Sequence, residues 1–542
     1  MTAATTGATG ALGALDLAGC RPPTTTGPNA ACASFPHGEI EEATVADLSA
    51  RMQRGELTAV DLVDRYVARI EAVDRRGPHL RSVLELDPDA RAIAAQLDAE
   101  RRTRGARGPL HGIPVLVKDN IDTAGNTKTT AGSLALAAAP SAADAEVVAR
   151  LRRAGAIILG KTNLSEWANI RSSHSTSGWS ARGGLTKNPY ALDRNTSGSS
   201  SGSAAAMAAN LATVALGTET DGSIVSPASI CGIVGIKPTV GLVSRRGIIP
   251  IAHSQDTAGP MTRTVADAAI LLGVLAGPDP GDPATDGQRG RAAADYLAAL
   301  RPDGARGKRI GLVRSYANIA RPVMDVIDRA ANDLRKLGAM VIDPVDIPTA
   351  TKIDDPELEV LLYELKADIA AYLRARPGSP VKTLEDIVRF NREHGADEMR
   401  YFGQELFEKA VDKGPLTTAA YVEALATCRK LARDEGIDLA LRKHGVDVLI
   451  APTGGLAWLT DLVNGDAFTG SSSTLAAVAG YPSITVPAGM VRGLPVGISF
   501  FGPAFSEPLL ISTAYAYEQA TRHREKPRYL STLGGLAPDG PA

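Results

Sequence analysis

Histidine is scarce in this chain, eight among 542 residues, and aromatic side chains make up only 4 %. The first shortage takes the usual proton acceptor of a hydrolase out of most of the sequence. The second leaves a core to be built from small and β-branched side chains. The four cysteines do not form a metal constellation. Cys231, in an apolar segment, and Cys428, in a helical stretch, read as buried thiols. Cys20 and Cys32 fall in the Thr-, Ala-, Gly- and Pro-rich stretch 1–36, which reads as disordered; in an exported protein the two would be free to pair. Net charge is only −2, from 58 basic and 60 acidic residues, so composition offers no footprint for nucleic acid. No apolar run is long enough to span a bilayer. Composition leaves the oligomeric state open.

What the chain does have is serine in unusual company. The run from Ser197 to Pro227 reads SGSSSGSAAAMAAN and then, after an apolar stretch, LGTETDGSIVSPAS. Ser199 and Ser223 each sit in a Gly/Ser-rich turn with too little side chain nearby to form a core. Upstream, GIPVLVKDN puts Lys118 at the end of an apolar strand that carries it into the interior. A serine hydroxyl needs a base to become a nucleophile, and amide hydrolysis needs donors for the developing oxyanion. Lysine is a base only when neutral, and burial disfavours its charged form. The three residues read as a serine hydrolase with a lysine base. The alternative for Lys118 is a strand-end lysine paired with Asp119 or Asp122.

The turn Thr220-Asp221-Gly222-Ser223 supplies consecutive N–H groups that can converge on an oxyanion. The Ser/Gly loop around Ser199 has the composition of a flexible linker. It runs, however, straight into Ala204–Ala209, strong helix formers, and so reads as a loop held at a helix N-terminus.

The stretches GIPVLVKDN, GTETDGSIVSPAS, CGIVGIKPTVGLVSRRGIIP and SQDTAGPMTRTVADAA, with the Ser/Gly loop, resemble the amidase signature family. The likeness runs from about Glu41 to Pro527. It implies that Ser223 is the acylated nucleophile, that Ser199 follows a cis peptide bond and relays protons, and that Lys118 is the base. It also implies oxyanion donors at the main chain of Thr220, Asp221, Gly222 and Ser223, with neither metal nor cofactor. The implied fold is α/β, a single large mixed β-sheet sandwiched between α-helices, in one domain over 37–530 with a tail at 531–542. GKTNLSEWANIRSSHSTSGWSARGG, YFGQELF and SEPLLISTAYAYEQ resemble in particular the bacterial peptide amidases, implying cleavage of a peptide's C-terminal carboxamide. A broad-range amidase of small aliphatic or aryl amides, or an amidotransferase subunit that needs a partner, would carry the same three residues.

Two features depart from the family's pattern. Gly-Gly pairs become Ser201-Gly202 and Asp221-Gly222, which matters if the second turn needs positive φ at Asp221. The arginine often found two residues after the nucleophile is Val225, so an anchor for a substrate carboxylate is lost. For the substrate pocket the candidates are Ser133 in the loop Thr129–Ser133, Trp167 and Trp458, joined by Trp179 and Leu459.

Other motifs fail on context. Gly155–Thr162 fits a phosphate-loop expression, but its variable positions Ala-Ile-Ile-Leu read as a strand. Gly198-Ser199-Ser200-Ser201-Gly202 fits a nucleophile elbow, which would make Ser200 the nucleophile, yet no strand precedes it. His523 lies in a charged surface stretch, and His111 reads as a loop histidine bonded to backbone. The chain reads as cytoplasmic. Leu17-Ala18-Gly19-Cys20 is similar to a lipoprotein processing box, and a start codon further upstream would make the protein exported or lipid-anchored.

Strands are expected at Ile113–Val117, Ala156–Leu159, Val214–Gly217, Ile310–Val313, Met340–Ile342, Val446–Ala451, Ile484–Val486 and Val496–Phe501, with helices between most of them. Thr44 and Thr58 read as caps of helices over Val45–Arg54 and Ala59–Asp74. The stretch 277–308 reads as a surface connection and 354–445 as a helical layer beside the cleft.

Overall fold

Val-, Ile- and Leu-rich runs of a few residues, too short for helices, become strands, and the longer amphipathic stretches between them become helices. In the computed structural model residues 35–315 and 319–533 are described. Cys20, Cys32, the Leu17–Cys20 box and residues 534–542 of the expected tail lie outside them. The strands are β1 (Val83–Leu86), β2 (Pro114–Lys118), β3 (Ile157–Thr162), β4 (Trp179–Ser180), β5 (Gly184–Leu185), β6 (Val214–Glu219), β7 (Val234–Lys237), β8 (Thr257–Thr262), β9 (Arg309–Val313), β10 (Met340–Val345), β11 (Val448–Pro452), β12 (Ser483–Val491) and β13 (Leu494–Phe501). All eight expected strands are present. The other five, β1, β4, β5, β7 and β8, were not foreseen: β4 and β5 are only two residues long, Thr257–Thr262 carries glycine and proline, and Val234–Lys237 continues an apolar segment without a break.

Eleven strands form one sheet in the order β1-β3-β2-β6-β8-β7-β12-β13-β11-β9-β10, while β4 and β5 make a separate hairpin. β2 runs parallel to β3 and to β6, and β11 runs parallel to β9. The central strands β8, β7, β12 and β13 pair antiparallel. Every residue of β2, β3, β6, β7, β8, β11 and β13 is buried. Strands buried throughout require cover on both faces of the sheet, which the helices provide.

The expected caps are present. Thr44 and Thr58 each form a capping box, with Asp47 and Asp61, at the start of Val45–Gln53 and Ala59–Arg69. The second helix then widens into a π-turn over Ile70–Arg76 rather than continuing to Asp74 as an α-helix. The 354–445 region is helical, opening with Asp354–Arg374. Cys231 and Cys428 are buried and free. Among the described residues no helix is long and apolar enough to cross a membrane. The N-terminal end of the described chain packs onto the C-terminal end: Phe35 meets Tyr529 edge-on with ring centroids 5.2 Å apart.

Candidate active site

β2 and β6 lie side by side and parallel, so both deliver their last residues to the same end of the sheet, where such folds place their ligands. Lys118 ends β2, and the turn carrying Ser223 follows β6 directly. Lys118 is fully buried. Its Nζ lies 2.8 Å from Ser199 Oγ, 2.8 Å from Thr218 Oγ1 and 3.2 Å from Thr218 O. Burial pulls its pKa down to about 7, against the opposing pull of the Glu219 and Asp256 carboxylates.

Thr218 O can only accept, so it takes one N–H of the amine, while Thr218 Oγ1 also accepts from Asn120 Nδ2 at 2.9 Å. In a neutral amine the lone pair is then available to a neighbouring hydroxyl, and Ser199 is placed to donate to it. Lys118 makes no ion pair among the described residues. Asp119 instead pairs with Arg182 at 3.0 Å, and Asp122 accepts from Tyr372 at 2.8 Å. The strand-end salt bridge is therefore not formed.

The peptide bond between Gly198 and Ser199 is cis. The loop is rigidly tied. Ser201 Oγ donates to Ser197 O at 2.7 Å, Ser197 and Ser226 share a hydrogen bond of 2.8 Å, and Ser200 N donates to Ser223 O at 3.1 Å. The loop then enters the helix Ser201–Ala208, whose residues are all buried. Ser200 is not an exposed nucleophile, because its own hydroxyl donates to Thr218 O at 3.1 Å.

The Ser223 turn is held from below. Glu219 Oε2 accepts from the N–H groups of Ile224 at 2.8 Å and Val225 at 3.0 Å, which fixes the start of the helix Val225–Ile230. Thr220 Oγ1 donates to Asp256 Oδ1 at 2.5 Å. Among the described residues the N–H groups of Thr220, Asp221, Gly222 and Ser223 have no acceptor, and neither has the Ser223 hydroxyl. All four residues line an open cavity of about 710 Å³. The positive φ of this turn, +74°, falls on Gly222 and not on Asp221, so the Asp-Gly pair carries no left-handed strain.

The pocket candidates divide. Trp458 lines the cavity, with its Nε1 donating to Asp466 at 3.2 Å and its ring edge-on to Phe468. Ser133 does not: it is fully buried and its hydroxyl donates to Glu398 at 3.2 Å. Trp167 does not either, because its ring packs against Phe407 in the core beneath the helical layer. Its neighbours Ala168, Asn169 and Ile170 reach the cavity instead. Trp179 is buried against Tyr401 and Phe402. His111 is a buried loop histidine, its Nε2 at 2.9 Å from Leu97 O. Asn120, Thr218, Asp466 and Phe468 were missed. Thr218 had a faint signal, an alternating position on β6, but its meeting with Lys118 depends on sheet register.

A family model described as Amidase matches residues 61–511. The crystal structure of native peptide amidase from Stenotrophomonas maltophilia is 54 % identical, covers 90 % of this chain and 99 % of its own, and superposes with a TM-score of 0.87. A probable amidase of Arabidopsis thaliana is 42 % identical over 91 % of this chain and 92 % of its own length. A glutamyl-tRNA(Gln) amidotransferase subunit of Roseiflexus sp. (strain RS-1) is 36 % identical over 89 % of this chain and 97 % of its own length. By its family match, its fold and the breadth of these likenesses, the chain belongs to the amidase family and has the amidase signature fold.

Proposed function

We propose that this amidase hydrolyses the C-terminal carboxamide of peptides, with Ser223 as nucleophile, Ser199 as proton relay and Lys118 as base. The observation that carries the reading is the buried Lys118 amine 2.8 Å from Ser199 Oγ, beside an open cavity lined by Ser223. Ser223 Oγ attacks the amide carbon as its proton passes to Ser199 Oγ, and the Ser199 proton passes to Lys118 Nζ. Charge developing on the carbonyl oxygen meets the unpaired N–H groups of the 220–223 turn. Lys118 returns the proton through Ser199 to the leaving nitrogen, the C–N bond breaks, and ammonia departs. Water then attacks the ester by the same relay, releasing the acid and restoring Ser223. In the free protein Ser223 has no hydrogen bond to Ser199. Rotation of its side chain on substrate binding supplies it, as catalytic contacts tighten in the Michaelis complex.

Support for a peptide substrate comes from the 54 % identity to a peptide amidase and from a cleft wide enough for more than a small aliphatic amide. Val225 in place of arginine speaks against free glutamine, whose carboxylate would lack a cation. The test is ammonia release by the purified chain from a capped dipeptide amide and from glutamine. The dipeptide amide is expected to react and glutamine to be inert; turnover of glutamine alone, and only in the presence of a second protein, overturns the reading. Phosphonofluoridate is expected to label Ser223, and label on Ser200 would overturn the assignment.

A further inference from the structure

The cavity above Ser223 is lined by three carboxylates, Asp221, Asp354 and Asp466, and by no lysine, arginine or histidine among the described residues. Asp466 is held by neutral donors, Ser177 N at 3.0 Å and Trp458 Nε1 at 3.2 Å, which leave its charge uncancelled. Asp354, at the start of the helix Asp354–Arg374, makes no hydrogen bond or ion pair among the described residues. Asp221 Oδ2 accepts from Thr474 Oγ1 at 2.7 Å, while its Oδ1 is shielded from solvent and has no partner.

We propose that the cleft selects amides that carry positive charge next to the scissile group, arginine and lysine amides above glutamate amides, and that Asp221 and Asp354 read that charge. The inference rests on the peptide-amide reading and specifies its substrate class. Asp221 precedes Ser223 by two positions and both line the cavity, so a cation held in the cavity near this carboxyl lies close to the acyl carbonyl, within reach of the side chain of the residue bearing the amide. Burial raises the Asp221 carboxyl above its ordinary pKa, and the field of Asp354 raises it further. Burial and the field of Asp221 do the same to Glu357, which is hydrogen-bonded by Gln255 Nε2 at 2.7 Å. Lys237, whose field also reaches Asp221, is fully buried and no part of the cavity wall. A guanidinium or ammonium group relieves this crowding of like charge, and a second carboxylate worsens it. The product acid is itself an anion, so the same wall favours its release.

The test compares kcat/KM for N-acetyl-alanyl amides of arginine, norleucine and glutamate, at low and high salt. At low salt arginine is expected to exceed norleucine by about tenfold and norleucine to exceed glutamate by about tenfold, with both gaps shrinking as salt screens the wall. Asp354→Asn is expected to lower the arginine-to-norleucine ratio by about threefold, a partial loss because one of two carboxylates remains. An arginine-to-norleucine ratio of one or less in the unmodified protein at low salt overturns the proposal, and a ratio unchanged in Asp354→Asn removes Asp354 as the reading residue. A parallel series of glycinamide (cation), propionamide (neutral) and succinamate (anion) separates this from the peptide reading. If capped peptides are untouched and small amides react, the peptide reading fails, and the charge order within the small series still decides the present one.

Discussion

In the proposed mechanism a lysine buried in the interior is the residue on which the chemistry turns. Burial lowers its pKa to about 7, and Ser199 Oγ and Thr218 lie within hydrogen-bond reach of its amine. Lys161 shows that burial alone is not enough. It too is fully buried and pulled down to about 8 by desolvation, yet it donates to Thr129 Oγ1 at 3.0 Å and Thr123 Oγ1 at 3.2 Å, away from both serines. As the proposed base, Lys118 acts only when unprotonated, so its pKa of about 7 fixes the sign of the pH dependence. kcat/KM is expected to rise with pH through an acid limb centred near 7 and then to level off. A pH–rate profile that falls from pH 6 to 8 would contradict this. Lys118→Arg keeps a cation but removes the base, since arginine stays protonated; turnover in an ammonia-release assay is expected to drop by about 10³-fold or more.

At the scale of elements, the site depends on how closely the helix Ser201–Ala208 approaches the sheet. A Cβ on Gly202 would lie 2.4 Å from Ser82 O and 2.5 Å from Asn163 O, both backbone atoms that cannot swing away. Gly202→Ala is therefore expected to push the helix outward, cost about 3 kcal/mol of stability by overpacking, and move the Ser199 loop at its start. Calorimetry should show a lowered Tm, and kcat should fall together with it. The neighbouring Ser201, where the family's pattern has a second glycine, ties the loop through Ser197 O, and the capping boxes at Thr44, Thr58 and Thr383 fix helix starts in the same local way.

At the scale of the whole molecule, residues far apart in the chain are clamped together beside the sheet. Arg524 donates to Glu42 Oε2 at 2.6 Å and Oε1 at 2.7 Å, and Asn210 Nδ2 reaches the same carboxylate at 2.8 Å. Burial by itself would raise the Glu42 pKa, but the Arg524 guanidinium and its hydrogen bonds overcome this and bring it down from 4.5 to about 2. The unfolded chain therefore holds more protons on Glu42 between those values, and stability falls as pH drops through that window, by about 3 kcal/mol in all. Glu42→Gln is expected to lower stability near neutrality and to flatten the acid limb of a urea-unfolding series run from pH 5 to 2. An acid limb as steep as that of the unmodified protein would show that this clamp carries none of the loss.

The α/β alternation, eight of the strands, the helix caps and the candidate trio Lys118, Ser199 and Ser223 were legible in the sequence because each leaves a local mark: an apolar run, a Thr with Asp three residues on, a Gly/Ser turn. The order of strands in the sheet left no such mark, nor did the pairing of Thr218 with Lys118, the burial of Ser133 and Trp167, or the gathering of Asp221, Asp354 and Asp466 around one cavity. Those depend on register and on contacts between segments hundreds of residues apart. Whether a side chain faces a cavity or a core is decided by what packs against it, and packing exists only once the chain has closed on itself.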